Sequence, residues 1–213
     1  MDALWFLRQR LMFSSNLYDE AAAPFCEKMR RIEAGEEPFV DNRDPFYQDV
    51  SEPAFLEEFL EANKAVEAVG YFCLLTTQAS LQTYLREHAA ELLRYRGGGD
   101  LSAKLRATGG GSWFERYRLL FLNEFGMDWS QGPTKLTEIE QINLTRDDLI
   151  HNVDVTTTTV YRTKNHSDRF PAGLFTDEVW ENLGIGSKIK IGREELTKAQ
   201  QIVDEFCSWL DRS

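Results

Sequence analysis

The chain has 213 residues, 42% of them hydrophobic and 28% charged, and a formal net charge of −11 at neutral pH. That length suffices for one domain with a sizeable core. The acidity counts against a general nucleic-acid coat, whose affinity comes from cations set on phosphates, but leaves room for a small basic cleft that admits one strand.

The N-terminal stretch "MDALWFLRQRLMF" lacks a leading basic region and is interrupted by Arg8 and Arg10, so it reads as a structural helix and not a signal peptide. Leu4, Leu7, Leu11, Tyr18, Ala21, Phe25, Met29 and Ile32 recur mainly at three- and four-residue steps, predicting a first helix that ends near Gly35 and Pro38. "FVDNRDPFYQDVSEP" is rich in turn residues and reads as a loop. Ser51 is a candidate N-cap for a long second helix, with Pro53 in its first turn and a run to about Arg96. Gly70 within it marks a kink or a close crossing.

Residues 97–112, "GGGDLSAKLRATGGGS", hold two triple-glycine clusters and predict a flexible loop. It carries Lys104 and Arg106, with Arg94, Arg96, Arg116 and Arg118 on its flanks. It is either a solvated hinge or a mobile basic flap beside a polyanion. The phosphate-loop pattern GxxxxGK[ST] is absent. A third helix is expected from Ser112 to Phe125, with Trp113, Tyr117, Leu120, Phe121 and Phe125 inward, broken by "GMDWSQGP". A fourth runs from about Thr134 to His151.

After it, "VDVTTTTVY" reads as extended, since β-branched residues lose side-chain freedom in a helix. "KIKIG" is a second short strand, and Leu196, Ala199, Val203, Phe206 and Leu210 mark a closing helix. The expectation is all-α: an antiparallel bundle of four to five helices in one domain over 1–213, with an irregular, partly extended insert at 153–192 before the last helix. No run of about 18 apolar residues exists, so no membrane association is expected.

Cys26, Cys73 and Cys207 form no metal-ligand spacing and sit in apolar helical stretches. They are expected to be buried reduced thiols, which implies a reducing cytoplasm. His88 is expected at a core edge and His166 in a polar loop. The five tryptophans fall in different segments and read as packing, not as a base-stacking platform.

The fourth helix carries the one constellation that points to chemistry. At about 100° per residue, Leu136, Ile139, Ile142, Leu149 and Ile150 share an arc centred near 280° from Leu136, and Arg146 falls on its centre line. A guanidinium there is costly unless it is paired or faces a cleft or a partner subunit. Glu140, Asp147 and His151 fall in a narrow strip beside that arc, and Asp147 and His151 are four residues apart, within reach of each other. Asn152 is a candidate helix-ending residue that would leave His151 at the exit. The plain alternative is a histidine on the helix dipole beside a surface ion pair.

"RDDLIHN" resembles the R-x4–6-H signature of HEPN domains, in which a polar residue commonly follows the arginine. The order of elements also fits, with long helices first and the motif at the end of a late bundle helix. The resemblance implies a metal-independent RNA endonuclease without cofactors that works as a homodimer, with Arg146 and His151 at the fixed positions and Asp147 at the polar one. Glu140 and Asn152 are auxiliary candidates, and Lys104 and Arg106 candidate RNA contacts. Some members are toxins held by an antitoxin or take part in phage defence, and others are non-catalytic modules that bind a partner protein or a nucleotide. The form regulated by antitoxin-directed modification has a tyrosine two residues after the histidine. Val153 stands there, which counts against that control. The residue types suit cleavage by the RNA's own 2′-OH to 2′,3′-cyclic ends: an imidazole moves a proton near neutral pH, and a guanidinium holds charge on the phosphorane.

Overall fold

A computed structural model describes residues 2–43, 53–109, 111–133, 136–151, 160–169, 173–177 and 188–213. Among them the chain forms an all-α bundle. Helix α1 spans Ala3–Glu33, α2 Leu56–Tyr95, α3 Leu101–Ala107, α4 Trp113–Leu120, α5 Leu136–His151, α6 Lys164–Arg169 and α7 Arg193–Leu210. Two short strands, β1 (Thr176–Asp177) and β2 (Lys188–Ile189), pair antiparallel with Thr176 opposite Ile189. No helix of the described residues is long and apolar enough to cross a membrane.

Helix α1 starts where the Asp2 carboxylate accepts the Trp5 amide at 2.8 Å, and ends with Arg30 and Arg31 over its own carbonyl terminus. Its inward stripe, Leu7, Leu11, Ser14, Tyr18 and Ala22, packs along α2. The two helices run close enough for the Ser14 hydroxyl to donate to the Cys73 carbonyl at 3.1 Å. The 40 residues of α2 form the spine, and α7 packs against both long helices. Ser51 lies outside the described residues; α2 begins after Phe55, whose left-handed φ of 59° turns the chain into it.

The Gly70 expectation is realised as a close crossing. A Cβ at Gly70 would stand 1.9 Å from the Ile191 carbonyl oxygen, so only glycine lets that backbone lie across α2. The crossing is fastened on both sides, by the Tyr71 hydroxyl donating to the Ile189 carbonyl at 2.9 Å and by Lys188 on Glu67 at 2.5 Å. The segment after α5 is therefore built into the core: Val160, Phe175, Ile189 and Ile191 are all buried.

Several expectations need correction, among them His166, which falls within α6 and not in a loop, and Pro53, which precedes α2 instead of lying in its first turn. Residues 97–112 are not a plain loop: Asp100 caps α3 by accepting the Ala103 amide, and the glycines bound that helix instead of dissolving it. In the third helix Phe114 points inward and Trp113 is only half-buried, while the last turn widens to a π-helix over Phe121–Phe125. That turn brings Phe121 onto Trp129, which also meets Phe114 and Phe206. Cys26 is exposed; Cys73 and Cys207 are buried, and burial raises the pKa of both thiols. His88, expected at a core edge, is buried, its ring stacked between Tyr84 and Phe121.

Candidate functional site

The sequence of α5 alternates residues that suit two different neighbours. Ile139, Ile142 and Leu149 are buried against the bundle. Gln141, Thr145 and Asp148, at helical spacing along an adjoining flank, are buried too, and they meet the segment that follows the helix. Gln141 accepts the Leu174 amide at 2.9 Å, Thr145 accepts from Arg162 at 3.2 Å, and Asp148 accepts the Thr163 amide at 3.3 Å. The buried face thus extends further toward this flank than the apolar pattern predicts. Arg146 is left at its edge.

Arg146 is accordingly not sunk in the core. Its side chain is 36% exposed and its Nη1 donates to Asp147 Oδ1 at 2.7 Å. His151 is the last residue of α5, exposed, and among the described residues it makes no hydrogen bond or ion pair. The expected Asp147–His151 contact is not formed: the carboxylate is turned to the arginine beside it. Asn152 lies outside the described residues. Arg146 and His151 share the solvent-facing end of one helix, but five residues apart they diverge by about 140° around its axis.

Asp147 and Glu140 instead help wall a cleft of 580 Å³ between α5 and the start of α4. Leu136, Leu144, Trp113 and the Glu115–Arg118 pair complete the parts that matter here. Arg118 and Glu115 satisfy each other through two hydrogen bonds of 2.8 and 2.6 Å, and the Arg118 guanidinium holds the Glu115 carboxyl below its usual pKa.

The expected basic flap is largely tied down. Lys104 lies on α3 and donates to both Glu124 carboxylate oxygens, at 2.8 and 2.7 Å. Arg96 caps the Glu124 carbonyl at 2.7 Å and lies over the Phe125 ring. Arg106 is exposed, and neither it nor Lys104 lines the α4–α5 cleft. Among the described residues no group of three or more histidine, cysteine or acidic side chains is placed to hold a metal ion.

The pair that residue patterns missed is Asp148 with Arg162. Both side chains are fully buried, with Arg162 Nε 4.0 Å from Asp148 Oδ2. Burial lowers the Arg162 pKa against the pull of Asp148, and among the described residues its Nε and Nη1 have no hydrogen-bond partner. Polar residues at 141, 145 and 148 look like a solvated stripe in sequence. The signal available was their helical spacing.

What fold and site define is an all-α bundle that presents an Arg-x4-His pair at the open end of one helix. Comparison with family models, curated proteins and solved structures finds no match to this chain.

Proposed function

We propose that the chain is a metal-independent RNA endonuclease of HEPN type that acts as a homodimer. The reading is carried by one observation: Arg146 and His151 lie at the same helix end with their side chains reaching solvent. In this mechanism His151 moves the proton when the 2′-OH attacks the adjacent phosphate. Arg146 carries the charge that develops on the phosphorane before a 2′,3′-cyclic end is left. Asp147 holds Arg146 in the absence of RNA, and the phosphate takes over that guanidinium on binding. The divergence of Arg146 and His151 around the helix supports the dimer, because a phosphate held by both types of side chain then draws one from each copy.

Cleavage in EDTA by wild type and His151→Ala tests this. Products with cyclic-phosphate ends, lost in the variant, support the reading; no cleavage by a folded dimer on varied RNAs overturns it. A strict monomer also sinks it. Membership of a toxin–antitoxin or phage-defence pair is the finer part of the proposal. Growth arrest on expression, relieved by His151→Ala, supports a toxin, and tolerance of wild type at high expression refutes a free one.

A second reading is a non-catalytic module that binds a partner protein or a nucleotide. The Arg146–Asp147 ion pair and the net charge of −11 favour it, since both oppose a phosphate at this helix end.

A further inference from the structure

We infer that the slot between the first turns of α1 and residues 80–87 of α2 binds a small monocarboxylate with an apolar body. The inference does not rest on the RNA-cleavage reading. Helix α5 reaches α2 through Gln78, which lies on the far side of that helix from Ser80 and Thr83. The slot exists because the two helices carry short side chains where they meet, Ala3 on one and Ser80 and Thr83 on the other. It holds 370 Å³, within the roughly 300–1,000 Å³ of small-molecule sites. Its floor reaches the core, since Leu7 and Tyr84 are 2% exposed and Ser80 is 3% exposed. Phe6, with nearly half its surface open to solvent, stands in the wall.

The polar groups of the slot select the ligand. Three hydroxyls line it, and each already donates to a backbone carbonyl: Ser80 to Thr76 at 2.7 Å, Thr83 to Ala79 at 2.9 Å and Tyr84 to Cys207 at 2.9 Å. Arg86 and Glu87 meet at 2.9 Å and offset each other. Arg10 is exposed and, among the described residues, makes no hydrogen bond or ion pair. The slot therefore offers an apolar interior and one uncommitted guanidinium, on a chain whose net charge is −11. A guanidinium grips a carboxylate through two parallel N–H donors. A doubly charged phosphate is the poorer match, because the Glu87 carboxylate stands in the same lining and repels the second charge. A flat ring or short alkyl chain fills the space over Leu7 and Tyr84, where removal of apolar surface from water adds to the charge contact.

The test is an NMR titration of the full chain with 4-phenylbutyrate, read at the amides of Ala3, Arg10, Ser80 and Thr83. The acid is expected to bind roughly tenfold or more tightly than 4-phenylbutanamide, which has the same body without the charge. Arg10→Gln is expected to bring that ratio to about twofold or below while leaving amide binding in place. Thr83→Phe fills the slot and is expected to weaken both probes about tenfold; Ala3→Leu narrows it from the other helix and serves if Thr83→Phe disturbs the fold. Equal affinity for acid and amide, a ratio unmoved by Arg10→Gln, or shifts confined to other residues overturns the inference. Tighter binding of 4-phenylbutylamine than of the acid would give the charge of the slot to Glu87 and also overturns it. Shifts at the same amides that grow with protein concentration alone, and vanish in the filled variant, would seat a side chain of a second copy there and refute the small ligand.

Discussion

Two arginine–aspartate pairs sit on or against α5, and they differ in almost everything but composition. Arg146 and Asp147 are adjacent in sequence, meet at 2.7 Å, and keep 36% and 47% of their side-chain surface in solvent. Arg162 and Asp148 come from different segments, are wholly buried, and approach only to 4.0 Å. The exposed pair joins neighbours on one helix turn that meet without help from any other described side chain. The buried pair is shaped by its surroundings, with Thr145 on Arg162 and the Thr163 amide on Asp148. Ion-pair distance is therefore a poor guide to structural weight here. The tight pair lies at the solvent-facing end of α5, and the loose pair ties the segment after α5 to the helix.

Breaking the buried pair is expected to have the largest effect on stability. Asp148→Ala leaves a guanidinium without its counter-charge in the core, and such a loss costs about 3–5 kcal/mol. Chemical denaturation should show a large drop in midpoint. Combining Asp148→Leu with Arg162→Met removes both charges and should recover most of the loss, since apolar replacements of a buried pair are often neutral or better. If Asp148→Ala unfolds at the wild-type midpoint, the buried pair is not the lock described above.

Next in size is the crossing at Gly70. Gly70→Ala forces its Cβ against the Ile191 backbone, and a carbonyl oxygen cannot rotate away as a side chain does. Overpacking of this kind costs about 1–3 kcal/mol. Hydrogen exchange should show the loss concentrated at Ile189 and Ile191, because their segment must lift off α2. Uniform loosening of α1 instead would mean that the clash is absorbed elsewhere.

The helical bundle was legible in the sequence because its core follows a single period. Leu7, Leu11 and Tyr18 on α1 and Leu196, Ala199, Val203 and Phe206 on α7 are buried where the spacing puts them. The environment of the candidate site was less legible, for a physical reason. A buried polar side chain carries the same letter as a solvated one, and only its partner distinguishes them. Gln141, Thr145 and Asp148 are satisfied by Leu174, Arg162 and Thr163, residues that no local pattern connects to α5. Shifting the buried arc toward them displaced Arg146 from the centre line to the edge. Cys26 failed for a related reason, since period alone does not say which flank of a 31-residue helix its neighbours cover.

A smaller effect sharpens the contrast through pH. His88 is held neutral chiefly by burial, which lowers its pKa, while Asp211, the Leu210 backbone and Glu91 pull less strongly the other way. Among the described residues its Nε2 has no hydrogen-bond partner, lying between the Tyr84 and Phe121 rings. Unfolded, the imidazole titrates near its ordinary value of about 6.5. Below that pH the unfolded chain binds a proton that the folded chain resists, so stability is full above about pH 6.5 and falls as pH drops toward the depressed folded value. His88→Phe keeps the stack and should flatten the pH dependence of the denaturation midpoint below about pH 6.5. A slope unchanged in that variant would assign the effect to another group.

The smallest expected effect on stability belongs to Arg146, and it carries the comparison back to function. Its ion pair with Asp147 is more than a third exposed, and pairs of that kind contribute about 0–1 kcal/mol. Arg146→Ala should therefore leave the denaturation midpoint nearly unchanged, well above that of Asp148→Ala, two residues further along the same helix. If Arg146 works on a phosphate, the same variant loses RNA cleavage while its fold is intact. Arg146→Lys, which keeps the charge but not the planar two-pronged donor, then recovers stability fully and cleavage only in part. Should Arg146→Ala instead unfold the chain as badly as Asp148→Ala, the guanidinium would be a structural element after all, and the distinction between the two pairs would collapse.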